Sequence, residues 1–195
     1  MKMFKEIMSW VIPIIVGLLI ALLIRRFVFT MVRVDGPSME ANLENNERVA
    51  VVKTVAIKHL SVIVFNAYRV DPDATSKNVK YVKRVIGMPG DTVSSRDGQL
   101  YVNGKQVNQR FISQFERTQG TGDWNLQGLS NKNEWSIQTT KVPKHSYFVL
   151  GDHRSVSNDS RYWGFVPAKK VLGVVKVPFW DTSATKRHNV NAIGY

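Results

Sequence analysis

Cysteine is absent from all 195 residues, which excludes a disulfide framework, a thiol nucleophile and thiolate metal sites. That absence fixes no compartment, because a core of sufficient size needs no covalent staple outside the cell. Histidine is scarce. The four copies, at 59, 145, 153 and 188, share no metal-binding spacing, so neither a metal nor another cofactor is expected. Acidic residues are outnumbered, with 15 Asp and Glu against 27 Lys and Arg and a formal net charge of +12. Such an excess points to an anionic neighbour, either nucleic acid or an acidic membrane surface. Basic–aromatic interleaving and any recognised nucleic-acid module are missing as well, so nucleic acid is not expected as a partner.

Charge is also missing from residues 7–24, where only Ser9, Pro13 and Gly17 interrupt an apolar run. Eighteen helical residues span roughly 27 Å, close to a hydrocarbon core of about 30 Å. A proline is tolerable in a membrane helix. The run is longer than the apolar region of a cleaved leader and no small-x-small site follows it, so a retained transmembrane anchor over 7–24 is expected. Lys2 and Lys5 flank one end and Arg25 and Arg26 the other, which leaves orientation open by charge alone. Residues 1–24 hold two Lys and one Glu, so +11 of the charge lies on residues 25–195, where membrane lipid is the simplest partner.

Helical periodicity of useful length is absent after the anchor. Short β-branched runs recur at 27–34, 48–55, 61–65, 79–86, 99–102, 146–150 and 171–177. Turn signals stand at Pro89-Gly90-Asp91, Arg96-Asp97-Gly98 and Asn103-Gly104, the last inside a strong hairpin pattern. The fold class is therefore mainly β: one N-terminal membrane helix followed by an all-β domain over 25–195. Residues 109–141, rich in Gly, Asn, Gln and Thr, read as a looser polar insertion within it.

Three segments carry candidate chemistry. Alternation along 79–86 places Val79, Tyr81, Lys83 and Val85 on one strand face, with Lys83 the lone charge there and Arg84 on the other face. Burial lowers a lysine pKa, and bringing it from about 10.4 toward neutrality costs about 4 kcal/mol but yields a usable base. A lysine snorkelling from an edge strand would look the same. Ser38, in Asp35-Gly36-Pro37-Ser38-Met39-Glu40, sits on a turn leaving a strand, where its hydroxyl is exposed and a backbone N–H can serve an oxyanion. The third segment runs from Gly151-Asp152-His153-Arg154 to Ser157-Asn158-Asp159-Ser160-Arg161. It follows an apolar strand and leads into Tyr162-Trp163-Gly164-Phe165, so a packed hydrogen-bond network competes there with a solvated loop.

Taken together and in this order, the segments resemble the type I signal peptidases, membrane-bound serine proteases that remove signal peptides from exported preproteins. The resemblance covers nearly the whole chain. It is most specific at Tyr81-Val82-Lys83-Arg84-Val85-Ile86-Gly87-Met88-Pro89-Gly90-Asp91 and at Gly151-Asp152 through Ser157, Asp159-Ser160-Arg161 and Gly164, with Gly36-x-Ser38-Met39 as the serine box. It implies Ser38 as nucleophile, with its own N–H at the oxyanion, and Lys83 as general base, oriented by Ser157. Arg84, Asp159 and Arg161 are implied as an ion-pair network, with Asp152 and Arg154 as further structural support. The implied substrate is an extended signal peptide with small residues at −3 and −1, bound as an added strand. The implied partners are signal peptides, membrane lipid and the secretion translocase. The single anchor and short chain are similar to the Gram-positive form, which implies residues 1–6 in the cytoplasm and the catalytic domain outside the cell membrane.

The chain departs from the family pattern in four places. Glu40-Ala41-Asn42-Leu43 replaces the usual x-Pro-Thr-Leu, predicting a looser turn after Ser38. Leu60-Ser61 stands where Gly-Asp often does, His153 replaces a common Asn, and Gly36 offers no hydroxyl to the oxyanion. A Ser38–His153–Asp152 triad is the rival site, although adjacent residues on extended chain point apart. A self-cleaving repressor shares the Ser/Lys logic but lacks an anchor. A catalytically weak or inactive tethered homologue that binds signal peptides or secretion partners is the rival function.

Overall fold

The computed structural model describes residues 2–192. The first helix, α1 (Lys2–Phe27), has Pro13 inside it, and its stretch Ile7–Phe27 is long and apolar enough to cross a membrane and is not buried by the rest of the fold. The helix runs past residue 24 through Arg25 and Arg26, cations that suit the negative end of the helix dipole. Strand β1 (Phe29–Arg33) follows almost at once, because Lys53 closes the junction: its N–H donates to Val28 O at 2.9 Å and its Nζ to Arg26 O.

Ten further strands follow: β2 (Arg48–Val52), β3 (Val62–Asn66), β4 (Lys80–Gly87), β5 (Val93–Arg96), β6 (Gln99–Val102), β7 (Lys105–Gln106), β8 (Trp124–Asn125), β9 (Ser146–Leu150), β10 (Val166–Pro167) and β11 (Val171–Lys176). Seven make one antiparallel sheet in the order β1-β2-β11-β3-β4-β9-β10, and four make a smaller one in the order β7-β6-β5-β8. Strand β4 lies between β3 and β9 and is buried on both faces from Val82 onward. Ile63, Phe65, Val85, Val149 and Val174 form one core cluster, while Val62, Val64 and Val82 pack with Met39 and Leu43 of the serine turn in another. The small sheet closes against Ile86, Phe148 and Leu150 through Val93, Leu100 and Val102.

The polar stretch 109–141 is more ordered than its composition predicts. It contains α2 (Gln114–Thr118), β8 and α3 (Leu126–Lys132), the helices capped by the side chains of Ser113 and Asn125. Leu126 and Leu129 are buried, and Trp124 meets Phe148 at a ring separation of 5.5 Å, so the stretch completes the second sheet and its core. The short helices α2, α3, α4 (Ser160–Trp163) and α5 (Ala184–Arg187) are four to seven residues each, too brief to leave a 3.6-residue pattern in the sequence.

Candidate active site

Ser38 lies on the turn that leaves β1, and two apolar plugs fix that turn. Met39 and Leu43 are fully buried, while Ser38 between Pro37 and Met39 is half-buried. Gly36 adopts φ +85°, a conformation that costs glycine nothing, and its N–H donates to Asn45 Oδ1 at 3.0 Å. The turn is closed by Glu40 N–H to Pro37 O and Leu43 N–H to Met39 O. Its carbonyls are held from the third segment: His153 N–H donates to Ser38 O at 3.1 Å, and His153 Nδ1 lies 3.2 Å from Pro37 O. The Ser38 amide donates to no acceptor among the described residues.

Far from being loose, the turn is tied at Asn42. The Asn42 amide donates to Phe111 O and to Asp152 Oδ2, both at 2.7 Å, and its oxygen accepts from Asn189 Nδ2 at 2.8 Å. A buried asparagine with all three bonds made rigidifies what a missing proline leaves free.

Lys83 sits on β4 opposite Ile63 and is 3% exposed. Its ammonium lies 5.5 Å from the centroid of the Tyr81 ring. Burial is the chief cause that pushes its pKa down to about 8, opposed by Asp159 and assisted by Arg161. The carboxylates that act on it are committed elsewhere: Asp159 and Asp152 to arginines, Asp71 to the Tyr81 hydroxyl and the Asn158 amide at 2.8 and 2.9 Å. Among the described residues the amine is therefore left without a dedicated counter-ion, which is why desolvation wins. The Tyr81 hydroxyl is itself pushed up to about 12, first by burial and then by its bond to Asp71.

The three segments meet at Gly151. Cross-strand pairing sets Val85 against Val149 and Arg84, the neighbour of Lys83, against Leu150, the neighbour of Gly151. Directly opposed residues share a face, with Cβ positions about 5 Å apart. A Cβ on Gly151 would lie 2.2 Å from Ser157 Oγ and 2.5 Å from Ser38 O, so glycine is required there for Ser157 and the Ser38 backbone to approach. Ser157 is buried, and its hydroxyl has no hydrogen-bond partner among the described residues. Ser157 and the Ser38 backbone thus converge at Gly151.

The supporting charges pair differently from the network implied by sequence. Arg84, fully buried, makes a two-pronged bond to Asp152 (Nε to Oδ1 2.8 Å, a terminal nitrogen to Oδ2 2.6 Å) and donates to Leu60 O and Asn189 O. Asp159 instead takes Arg161 at 2.9 and 3.0 Å and accepts the Gly151 N–H at 3.0 Å. Arg154 forms no ion pair among the described residues and ties Gly151 O to Gln109 and Thr121 of the polar stretch. Asp152 faces Arg84 and Asn42 rather than the His153 ring, which lies 3.8 Å from Glu40 and from Glu116, so a histidine triad is not assembled. Among the described residues no group of His, Asp and Glu is arranged to hold a metal ion.

A groove of about 720 Å³ runs between β1 and the 73–81 segment, lined by Met31 to Asp35 on one side and by Asp73 to Ser76 and Asn78 to Tyr81 on the other. Because β1 is an end strand of the large sheet, one edge of its backbone pairs with no other strand among the described residues. Sequence reasoning missed Asn42, recognised only as a departure, and Asp71, Phe111 and Asn189, for which a single polar or aromatic residue in a loop gives no local signal.

The model of the signal peptidase family, peptidase S26, matches this chain over residues 7–180. The chain is 38% identical to signal peptidase IB of Staphylococcus aureus (strain COL), with 97% of each covered, and 37% identical to signal peptidase I of Bacillus licheniformis, with 94% of each covered. A crystal structure of a signal peptidase I from Enterococcus faecalis V583 superposes with a TM-score of 0.52 at 34% identity, covering 62% of this chain and 97% of that one.

Proposed function

We propose that this chain, which belongs to the peptidase S26 family of signal peptidases and is a serine endopeptidase, cleaves signal peptides from preproteins with Ser38 and Lys83 as its catalytic pair. The observations that carry the reading are a buried Lys83 whose pKa is pushed down to about 8 and the approach of Ser157 to the Ser38 backbone at Gly151. Neutral Lys83 takes the Ser38 hydroxyl proton as Oγ attacks the scissile carbonyl, and the free Ser38 N–H receives the oxyanion, since Gly36 offers no side chain. The protonated lysine then gives that proton to the departing amine, leaving an ester on Ser38. A water, deprotonated by Lys83, cleaves the ester and restores the site. Ser157 holds the amine through its otherwise unpartnered hydroxyl.

The substrate lies extended in the groove along the open edge of β1, adding a strand to the sheet, with small residues at −3 and −1. Residues 7–24 cross the cell membrane, residues 1–6 face the cytoplasm and residues 25–195 work outside, held at anionic lipid by their basic charge and beside the secretion translocase. Detergent-solubilised protein is expected to cut a preprotein at one site, with Ser38→Ala and Lys83→Ala each slower by more than about 10³-fold. Equal background cleavage by all three proteins would leave only a binding role. His153→Gln is expected to hold kcat/KM within about twofold of wild type, whereas loss of a true triad base costs roughly 10⁶-fold. Complete inactivity of that variant would revive the triad.

A further inference from the structure

The segment after β11 returns to the catalytic end of the molecule. Ser183 caps α5 by accepting from Lys186 N–H, and Lys186 pairs with both Glu47 and Asp181. Asn191 clips the chain to Val177, its oxygen accepting Val177 N–H at 2.9 Å and its amide donating to Val177 O at 2.6 Å. Between these two fixings stand Asn189 and Val190. The Asn189 amide donates to Asn42 Oδ1 at 2.8 Å, its carbonyl accepts from Arg84 at 2.9 Å, and Val190, 2% exposed, is buried in the same cluster as Met39 and Leu43.

We propose that Asn189 and Val190 form a positioning element for the nucleophile, holding the 38–43 turn in register with Lys83. The proposal rests on the reading of Ser38 as the nucleophile. Ser38 and Asn42 sit near opposite ends of one short turn, so a rotation that frees Asn42 also swings the Ser38 hydroxyl. Phe111 O and Asp152 take the two hydrogens of the Asn42 amide, and Asn189 is what fills its oxygen. Met39 and Leu43 plug the turn into the core, and Val190 belongs to the floor beneath them. Arg84 receives the same tail through Asn189 O, so the residue next to Lys83 and the turn bearing Ser38 share one anchor. Misplacement of a reacting group by about 1 Å can cost 10²-fold in rate, whereas substrate in the groove touches neither tail residue.

The test uses the full chain in detergent, with an internally quenched peptide carrying alanine at −3 and −1. Asn189→Ala, which removes one buried hydrogen bond, is expected to lower kcat about tenfold at unchanged KM, and Asn42→Ala, which removes three, is expected to lower it at least as much. The double variant is expected to be no slower than the worse single. The acid limb of the kcat–pH profile stays in place, because Lys83 is untouched. Val190→Ala, which removes no polar group, is expected to show the same kcat loss at a temperature where thermal melting shows it folded. Wild-type kcat in Asn189→Ala, or losses that multiply in the double variant, would overturn the proposal. Ser38→Ala in the same assay separates the two ideas: if it retains activity the nucleophile assignment fails, and if it is inactive while Asn189→Ala is normal only the tail's role does.

Discussion

Replacing Lys83 with methionine is expected to abolish cleavage and, at pH 7, to stabilise the fold by roughly 3 kcal/mol. Both effects come from one cause. The ammonium is 3% exposed and its pKa falls from 10.5 to about 8, first through burial. The folded state therefore releases a proton between pH 8 and 10.5 that the unfolded chain still holds. Below pH 8 both states are protonated and the full cost of the buried cation is present; above pH 10.5 both are neutral and that cost is gone. Stability of the wild type should accordingly rise with pH through this window relative to Lys83→Met, and the gap between the two should close near pH 10.5. Denaturant titration at pH 7 and pH 10 checks the sign. Methionine matches the aliphatic length and brings no charge to desolvate. If Lys83→Met is less stable than wild type at pH 7, the lysine is a paired structural cation and its role as a base loses its physical basis. For the active enzyme, the same titration predicts an acid limb in kcat/KM with its midpoint near pH 8, activity rising as the amine loses its proton.

Alternation alone placed Lys83 among apolar neighbours, and β4 does put it there beside Tyr81 and opposite Ile63. The family resemblance stood, and the mainly β class with one apolar N-terminal helix stood with it, because these rest on local patterns that short windows carry. The strand edges moved where neighbours decided them: the run at 27–34 opens as helix because α1 carries on to Phe27, and that at 48–55 stops at Val52, beyond which the chain is exposed. Pairing among charges was not legible. Asp152 and Asp159 lie seven residues apart in one loop, yet one faces Arg84 across the strands and the other Arg161 beside it. Nothing in composition distinguishes two aspartates; backbone direction at Gly151 and the N-cap of α4 do. The turn after Ser38 was misjudged for a related reason. Its expected looseness followed from the missing proline, whereas its rigidity comes from Phe111 and Asn189, 69 and 147 residues away in sequence from Asn42.

Asp152→Ala should be the most damaging single substitution for stability, at about 3–5 kcal/mol. The carboxylate is fully buried and takes three donors: Nε and a terminal nitrogen of Arg84, and the Asn42 amide. Removing it leaves a guanidinium that is 0% exposed with, among the described residues, only the carbonyls of Leu60 and Asn189 and the face of Phe111, 4.1 Å away, to hold it. Asparagine is not a mild replacement, because its amide would turn donors toward either Arg84 or Asn42, which are donors already. The cost therefore lies in the stranded cation rather than in the lost attraction, and this can be separated by a double variant. Arg84→Met with Asp152→Ala removes both charges, and most of the lost stability should return, since a buried pair replaced by apolar groups is often neutral. Activity should not return with it, because Asn42 still lacks one acceptor and the serine turn loses a fixing point. Chemical denaturation of the wild type, both single variants and the double variant gives the coupling directly. An Asp152→Ala protein within about 1 kcal/mol of wild type would mean that water reaches Arg84, and the buried pair would then no longer account for the rigidity of the Ser38 turn.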